Sequence, residues 1–231
     1  MPDAIMIFAA GFGTRMGALT AHRPKPLIEV AGRTLLDHAL ALTDAVKLSR
    51  RVVNAHYLGD QIAAHLQSQA DIAVLNEAPD LLDTGGGLRH ALGDLGPGPV
   101  FTLNSDAVWT GPNPLLTLRA AWQPARMDAL LLTVPPKRAN GRRRGGDFTL
   151  TNRGRLERGG DAVYTGAQIL KTDRIAARTD SIFSLNEIWD EMARDGRLFG
   201  AVHPGCWCDV GHPEGIAEAE AMLRAARVNA P

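Results

Sequence analysis

The sequence predicts an α/β fold: a three-layer sandwich with a mixed, mostly parallel sheet and helices on both of its faces. Residues 4–10 form a continuous apolar run, which is typical of a strand buried on both sides, and apolar residues then recur at helical spacing from Leu35 to Thr43. Further strand and helix patterns alternate at 51–54, 58–66, 72–75, 88–92, 100–103, 115–121 and 129–134. This alternation indicates crossover units in a parallel sheet.

The second half of the chain has a different pattern, and we expect it to complete the same sheet. The proline- and arginine-rich stretch 135–146 predicts a loop or hairpin. The later patterns are an antiparallel pair at 148–150 and 155–157, a strand at 163–170, a helix at 185–193 capped by Ser184, a strand at 198–202 and a helix at 213–227. No repeat or linker separates residues 1–134 from 135–231, so we expect 1–231 to be a single domain.

The composition argues against several classes of protein. The 231 residues carry 25 Lys and Arg against 25 Asp and Glu, and this balance disfavours a general nucleic-acid or membrane-surface binder. No apolar run approaches the roughly 18 residues that a membrane span needs, and the acidic start of the chain is unlike a secretory signal. Cys206 and Cys208 are too few and too close for a disulfide framework. We therefore expect a cytoplasmic protein with no nucleic-acid or membrane partner.

A glycine-rich segment follows the first predicted strand. In Gly11–Gly17, three glycines allow positive φ angles and let backbone amides approach an anion without obstruction by Cβ atoms. Arg15, in the same segment, adds a cation whose fork geometry suits phosphate. The segment therefore predicts an anion-binding turn at a strand end.

Two kinds of phosphate ligand compete for this turn. A dinucleotide-binding turn has its third glycine one position earlier than Gly17 and an acidic residue at the end of the second strand, where this chain has Asn54. Pro24 and Pro26 exclude a regular helix through Lys25 and hold that lysine on an extended loop near the turn. The pattern favours a nucleoside triphosphate over the nicotinamide cofactor of an oxidoreductase.

Five motifs in chain order resemble the signature of one enzyme family. The motifs are AAGFGTRM at 9–16, PKPL at 24–27, DTGGG at 83–87, NSD at 104–106 and WCDVG at 207–211. Together they resemble the sugar-1-phosphate nucleotidyltransferases, in which the glycine-rich stretch 83–87 is similar to a second turn that contacts the base. The short chain and its Thr-Gly-Gly-Gly look most like the N-acetylmuramate-1-phosphate uridylyltransferases of cell-wall recycling, with mannose-1-phosphate guanylyltransferases next.

The resemblance implies a fold and a reaction. The fold is the Rossmann-like nucleotide-diphospho-sugar transferase fold, with a nucleotide-binding half at 1–134 and a sugar-binding half at 135–231. The reaction is Mg²⁺-dependent attack of a sugar 1-phosphate, such as N-acetylmuramate 1-phosphate, on the α-phosphorus of a nucleoside triphosphate, such as UTP, with release of pyrophosphate. A domain of this fold that senses nucleotide sugars without turnover is the alternative.

The resemblance, together with positions after strand ends, also implies roles for individual residues. Arg15, Lys25 and Asp106 are expected to be catalytic, and Asp106 and Asp209 to hold Mg²⁺. Nucleotide binding is expected of Ala10, Gly11, Gly13, Thr14, Arg15, Lys25, Glu77, Gly86 and Asn104. Sugar binding is expected of Asp147, Gly166 and Glu187.

Simpler structural explanations exist for some of these residues. An aspartate such as Asp106 often caps a helix or turn after a strand, and Glu77 fits a solvated loop equally well. Gly166 is also explained by a β-bulge, and Glu187 by the helix dipole, which favours acidic residues in a first turn. The arginines at 142–144 are typical of a solvated loop, although they would also suit phosphate.

The sequence departs from the wider family in the middle of the chain. Many members have a Glu-Lys-Pro there, whose lysine contacts the sugar phosphate, whereas this chain has Glu157-Arg158-Gly159. That contact is either made by Arg158 or absent.

Overall fold

Strands and helices alternate through most of the molecule, a computed structural model that describes residues 1–228. The strands are β1 (Ala4–Phe8), β2 (Glu29–Val30), β3 (Arg33–Thr34), β4 (Arg50–Ala55), β5 (Ile72–Asn76), β6 (Val100–Asn104), β7 (Ala107–Trp109), β8 (Ala129–Val134), β9 (Ala139–Asn140), β10 (Phe148–Leu150), β11 (Leu156–Arg158), β12 (Val163–Leu170), β13 (Leu198–Val202) and β14 (Trp207–Asp209). The helices are α1 (Leu35–Asp44), α2 (Gly59–Leu66), α3 (Asp83–His90), α4 (Leu92–Leu95), α5 (Pro114–Ala121), α6 (Asp173–Ala176), α7 (Leu185–Arg194) and α8 (Glu214–Val228).

The central sheet has seven strands in the spatial order β13-β8-β12-β6-β1-β4-β5. β12 runs antiparallel to its neighbours β6 and β8, and the other adjacent pairs are parallel. The prediction of a mixed, mostly parallel sheet is therefore confirmed. β8, from the first half of the chain, lies between β12 and β13 from the second half, so the second half does complete the sheet. That the whole chain forms a single domain stays a prediction.

The two faces of the sheet bury separate sets of apolar side chains. Ile5 and Ile7 of β1 pack on one face with residues of α1, α2 and α5. Ala4 and Met6, which alternate with them, pack on the other face with residues of α3, α4, α6 and α7. Because successive side chains of a strand point to opposite faces, a strand covered on both sides is apolar throughout. This explains the unbroken apolar run at the start of the chain and confirms the prediction of helices on both faces.

A second, three-stranded sheet brings β14, from late in the chain, beside β7, which follows β6. Its order is β7-β14-β9, with β14 antiparallel to β7 and parallel to β9. α8 covers it, with Ala219 buried among Cys208 and Val210. Burial raises the pKa of the Cys208 thiol to about 12, so this group is uncharged at neutral pH. The arrangement places Asp209 beside the chain that follows β6.

Helix α3 begins inside the glycine-rich stretch that the sequence predicted to be a turn. Any side chain at Gly85 would collide with the ring of Phe183, and any side chain at Gly87 would collide with the carboxylate of Glu77. Glycine disfavours helices by about 1 kcal/mol relative to alanine, which is why the sequence alone indicated a turn. Here close packing against neighbouring segments requires the missing side chains and overrides that preference.

The helices are short, and α7 has the strongest start signal. Ser184 Oγ accepts a hydrogen bond from the Asn186 amide, and the Glu187 side chain accepts one from the Ser184 amide, which together form a capping box. The prediction that Ser184 caps this helix is confirmed.

α8 is the longest described helix, at 15 residues. No helix within residues 1–228 is long and apolar enough to cross a lipid bilayer.

A buried hydrogen-bond chain joins α7 to the central sheet and gives a test of the fold. Trp189 Nε1 donates to Gln168 Oε1 at 2.9 Å, and Gln168 Nε2 donates to Thr102 Oγ1 at 3.0 Å. Gln168→Leu would leave the indole N–H without a partner, so we expect the free energy of unfolding to fall by about 1–3 kcal/mol in urea denaturation. Gln67→Leu, at an exposed position, is the control and should change it by less than about 0.5 kcal/mol. Equal effects would contradict this prediction.

Candidate active site

Two adjoining cavities lie at the carboxyl ends of β1 and β6. Their volumes are about 320 Å³ and 360 Å³. They share six lining residues, namely Phe8, Arg15, Asp83, Thr84, Asn104 and Asp106. In open α/β sheets this edge is where ligands gather, because loops and helix starts meet there.

Most of the residues that the sequence assigned to a site line these cavities. In the first cavity they are Ala10, Gly11, Gly13, Thr14, Arg15, Lys25, Glu77, Asn104 and Asp106. In the second cavity they are Arg15, Asn104, Asp106, Asp147, Gly166 and Asp209. Arg15, Asn104 and Asp106 therefore lie where the two cavities meet.

The glycine-rich loop and Lys25 are packed against each other. β1 ends at Phe8, and the loop ends at Gly13, which has a φ of 65° and precedes the 3₁₀ turn Thr14–Thr20. A Cβ atom at Gly13 would lie 2.8 Å from the Cβ of Lys25. Thr20 Oγ1 donates to the Gly13 carbonyl at 3.1 Å, which also holds the end of the loop in place. A glycine is needed here both for its backbone angle and for the approach of Lys25.

Lys25 forms a partly buried ion pair with Asp106. The lysine is 8% exposed, and its Nζ donates to Asp106 Oδ2 at 2.7 Å. Burial acts to raise the pKa of Asp106, but the charges of Lys25 and Arg15 outweigh it, and the pKa is lowered overall. Asp106 is therefore ionised at neutral pH. The sequence predicted that both residues lie in the site, but it did not predict their contact.

Asp209 lies beside Asp106. The amide of Val210 donates to the Asp106 carbonyl at 2.9 Å, and Asp209 pairs with Ala107 in the small sheet. Burial and the negative charge of Asp106 raise the pKa of Asp209, while nearby cations act against this shift. Two carboxylates that are distant in sequence thus face the same space. A Cβ at Gly211 would lie 3.0 Å from both carboxylate oxygens of Asp209.

The carboxylate pair has the chemistry of a magnesium site completed by substrate. Mg²⁺ prefers oxygen ligands and is usually held by one or two carboxylates together with substrate phosphates and water. Within residues 1–228 no group of three or more His, Cys, Asp or Glu side chains forms a ready-made metal site. Both carboxylates are partly buried in the same place, and the ammonium group of Lys25 already contacts that of Asp106. Asp106 and Asp209 therefore fit Mg²⁺ bound through both protein and substrate oxygens.

Glu77 is a buried part of the first cavity and is already hydrogen-bonded. It is 3% exposed, its Oε1 accepts from Asn54 Nδ2 at 2.6 Å, and its Oε2 accepts from the Leu82 amide at 3.0 Å. Asn54 Oδ1 in turn accepts from the Ala9 amide at 2.8 Å. Glu77 is thus not the solvated loop residue of the simpler explanation. The network holds the glycine-rich loop and the start of α3 in fixed positions around the cavity.

The wall of the second cavity is built around Asp147 and Gly166. Asp147 Oδ1 accepts from Arg142 Nη2, and Asp147 Oδ2 accepts from the Tyr164 amide at 2.9 Å. Gly166 has a φ of 82° at an irregularity in β12, and a Cβ there would lie 2.7 Å from the Asn104 side chain. Gly166 is therefore both a bulge glycine and a cavity residue, and its contact with the sugar stays a prediction.

Two predicted site residues lie outside both cavities. Gly86 is buried in α3, and its amide donates to the Phe183 carbonyl at 3.1 Å. Its contact with a base stays a prediction. The exposed Glu187 caps α7 and forms an ion pair with Arg178. The helix terminus and Arg178 engage its carboxylate, so its role as a sugar ligand stays a prediction without support from the cavities.

Sequence reasoning missed or left open several cavity residues. Asn54 lines the first cavity and was assigned no role, whereas Arg142 and Arg158, which the sequence left open as phosphate contacts, line the second. Asn54 carried a usable signal, because it is a polar residue at the end of an apolar strand pattern. Arg142 carried none that set it apart from the two arginines that follow it. Arg143, by contrast, forms an exposed pair with Glu214.

A family profile described as the MobA-like NTP transferase domain matches residues 5–227. The chain belongs to this family. Its membership confirms the resemblance to the sugar-1-phosphate nucleotidyltransferases that the five motifs indicated.

Two relatives of this nucleotidyltransferase are similar over almost their whole length. The N-acetylmuramate alpha-1-phosphate uridylyltransferase of Caulobacter vibrioides is 39% identical over 235 residues, which cover 96% of this chain and 97% of the relative. The enzyme of the same name from Neisseria meningitidis serogroup B is 30% identical, with 95% and 98% covered. Among solved structures, HddC from Yersinia pseudotuberculosis complexed with GMP-PN has a TM-score of 0.74 at 18% identity, with 95% of this chain and 99% of HddC covered. That likeness shows the shared fold.

The contact between Gly13 and Lys25 gives a test of the site. Gly13→Ala places alanine in the left-handed α region, which costs about 1–2 kcal/mol, and brings its Cβ to 2.8 Å from the Cβ of Lys25. Gly17→Ala is also strained, at φ 58° and ψ −129°, but its Cβ meets no atom within 4 Å. We expect both variants to lose stability, measured by urea denaturation. Only Gly13→Ala should displace Lys25 and lower kcat/KM for the nucleoside triphosphate, by about 10- to 100-fold. Equal kcat/KM values in the two variants would contradict this.

Proposed function

We propose that this nucleotidyltransferase transfers a uridylyl group from UTP to N-acetylmuramate 1-phosphate with Mg²⁺ and releases pyrophosphate. The observation that carries the proposal is the pair of adjacent carboxylates, Asp106 and Asp209, at the junction of two cavities. Lys25 lies on the side of the first cavity, and Arg15 borders both. The names of the two relatives support the choice of base and sugar.

The reaction needs positioning and charge neutralisation more than proton transfer. An oxygen of the sugar phosphate attacks the α-phosphorus of UTP and forms the new P–O bond. The bond from the α-phosphorus to the oxygen that bridges to the β-phosphate breaks, and pyrophosphate leaves with that electron pair. Because the attacking oxygen is already anionic at neutral pH, no general base is required. Several phosphate charges meet at one centre, which makes fixed cations valuable.

In this proposal the first cavity binds the nucleotide. The backbone of the loop from Ala10 to Gly13 lies against the phosphates, and Thr14 lines the same cavity. Lys25 neutralises the α-phosphate and Arg15 the β- and γ-phosphates. Glu77 shapes the nucleoside end through its hydrogen bonds, and Asn104 borders both substrates.

Asp106 and Asp209 are the residues that would hold Mg²⁺. A bound divalent ion would neutralise the developing charge on the phosphoryl oxygens. Lys25 keeps Asp106 ionised, and the charge of Asp106 acts on the neighbouring Asp209. A cation bound between the two carboxylates would lower this repulsion.

In this proposal the second cavity binds the sugar phosphate. The backbone at Gly166 lies against the sugar, and Asp147, which lines the same cavity, holds Arg142 in place. The positive charge of Arg142 acts on Asp209. We therefore assign the sugar phosphate contact to Arg142, in the place of the family's mid-chain lysine.

One panel separates this proposal from its alternatives. The protein is incubated with each of UTP, GTP, CTP and dTTP against N-acetylmuramate, mannose and N-acetylglucosamine 1-phosphates with Mg²⁺, and pyrophosphate release is measured. We expect the highest kcat/KM for UTP with N-acetylmuramate 1-phosphate and no release with EDTA. Preference for GTP with mannose 1-phosphate would indicate the guanylyltransferase alternative. No release from any pair would favour the sensing domain. Both substrates are intracellular metabolites, so the proposal includes a cytoplasmic location.

Replacing the two aspartates should have similar effects on turnover but different effects on the free energy of unfolding. Asp209→Asn and Asp106→Asn should each lower turnover by at least about 100-fold, because each removes a charge that holds the metal. Asp209→Asn also relieves like-charge repulsion, so without Mg²⁺ the free energy of unfolding should stay equal or rise. Asp106→Asn leaves Lys25 buried without its partner, and it should lower that free energy by up to about 3 kcal/mol.

Pyrophosphate release and urea denaturation measure the two effects. Asp161→Asn, at an exposed position outside both cavities, is the matched control and should keep turnover and stability. Full turnover in the Asp106 or the Asp209 variant would remove that residue from the site.

A further inference from the structure

The second cavity contains an arginine for which the proposed reaction has no role. The guanidinium group of Arg158 lies over two aromatic rings, with its Cζ 4.9 Å from the centroid of Phe148 and 5.8 Å from that of Trp189. Its Nε donates to Asp190 Oδ1 at 2.7 Å, and its Nη2 donates to the Asn186 carbonyl at 3.0 Å. The group is thus held in one orientation on the cavity wall.

Arg158 and Arg142 contact different groups on the wall of the second cavity. Arg142 donates to Asp147, and the other oxygen of Asp147 accepts from the Tyr164 amide. Arg158 instead lies over the rings of Phe148 and Trp189 and donates to Asp190. We assign the sugar phosphate to Arg142, which leaves Arg158 for another group of the sugar. A sugar whose phosphate is at Arg142 would present a substituent of its ring, and not its phosphate, to Arg158.

Arg158 also keeps the capacity to bind an anion. The side chains of Arg158 and Asp190 are 40% and 54% exposed, and an ion pair that is this solvated contributes little. Within residues 1–228 the Nη1 amine of Arg158 has no hydrogen-bond partner. A guanidinium group that is stacked on aromatic rings and still has unpaired N–H groups suits the planar carboxylate group.

We propose that Arg158 binds a carboxylate of the sugar and thereby selects acidic sugar 1-phosphates over neutral ones. This inference rests on the proposed function, because N-acetylmuramate differs from N-acetylglucosamine by an ether-linked lactyl carboxylate. The rings of Phe148 and Trp189 fix the cation before the substrate arrives, so little side-chain entropy is lost on binding. Arg158 is then a specificity residue for the sugar.

The test compares charge-removing variants on acidic and neutral sugars. Wild type, Arg158→Gln and Arg158→Lys are assayed with UTP and Mg²⁺, and Arg153→Gln is the matched control at an exposed arginine outside both cavities. The acidic substrates are N-acetylmuramate 1-phosphate and glucuronate 1-phosphate, and the neutral substrate is N-acetylglucosamine 1-phosphate. KM and kcat for each sugar and KM for UTP are measured from pyrophosphate release, and melting temperatures report folding.

We expect Arg158→Gln to raise KM for N-acetylmuramate 1-phosphate by about 10- to 100-fold, with kcat changed by less than about threefold. Arg158→Lys keeps the charge and should give an intermediate KM. KM for UTP and kcat/KM for the neutral sugar should stay within about twofold of wild type in every variant. A purely structural role would lower activity with all sugars together.

Two kinds of failure are distinguishable. If wild type uses N-acetylmuramate 1-phosphate and Arg158→Gln keeps the same preference over the neutral sugar, or loses activity with both equally, the role of Arg158 is overturned and the proposed function stands. If wild type does not use N-acetylmuramate 1-phosphate, the sugar of the proposed function is wrong. Use of glucuronate 1-phosphate that depends on Arg158 would then still support the selection of acidic sugars, and preference for the neutral sugar would overturn it.

Discussion

The site depends on holding two negative carboxylates next to each other in a partly buried space. Asp106 is secured by Lys25, but Asp209 is held mainly by its backbone. The structure behind Asp209 is accordingly rigid: the Gly141 amide donates to Glu218 Oε2 at 2.8 Å, and its carbonyl accepts from the His212 ring at 2.9 Å. Helix α8 and the three-stranded sheet therefore supply packing and hydrogen bonds that offset the repulsion between the two carboxylates.

Much of this fold could be predicted from the sequence, since it follows from local chemistry. An apolar run such as residues 4–8 fits a strand that is covered on both faces, and Ser184 followed by Glu187 is a start signal that needs no tertiary information. The glycine-rich loop and Lys25 were also predictable, because prolines and glycines restrict or free the backbone wherever they occur.

The sequence was less informative about residues whose role depends on a neighbour that is distant along the chain. Glycine is read as a turn former, yet Gly85 is a packing residue in a helix because Phe183 occupies the space of its missing side chain. By sequence, Glu187 suits either a sugar ligand or a helix cap, and its ion pair with Arg178 becomes visible only in the structure. The rings beneath Arg158 come from β10 and α7, so their convergence becomes visible only in three dimensions.

The position of β8 limits how the enzyme can be divided. By sequence this strand closes the first half of the chain, yet its hydrogen-bonding edges are both occupied by β12 and β13 of the second half. A fragment that stops at Val134 would expose both edges of β8 and the edge of β6 that β12 covers, and unpaired strand edges favour aggregation. The strands of the two halves are thus interleaved in one hydrogen-bonded sheet, and the halves cannot swing apart as rigid bodies without breaking it.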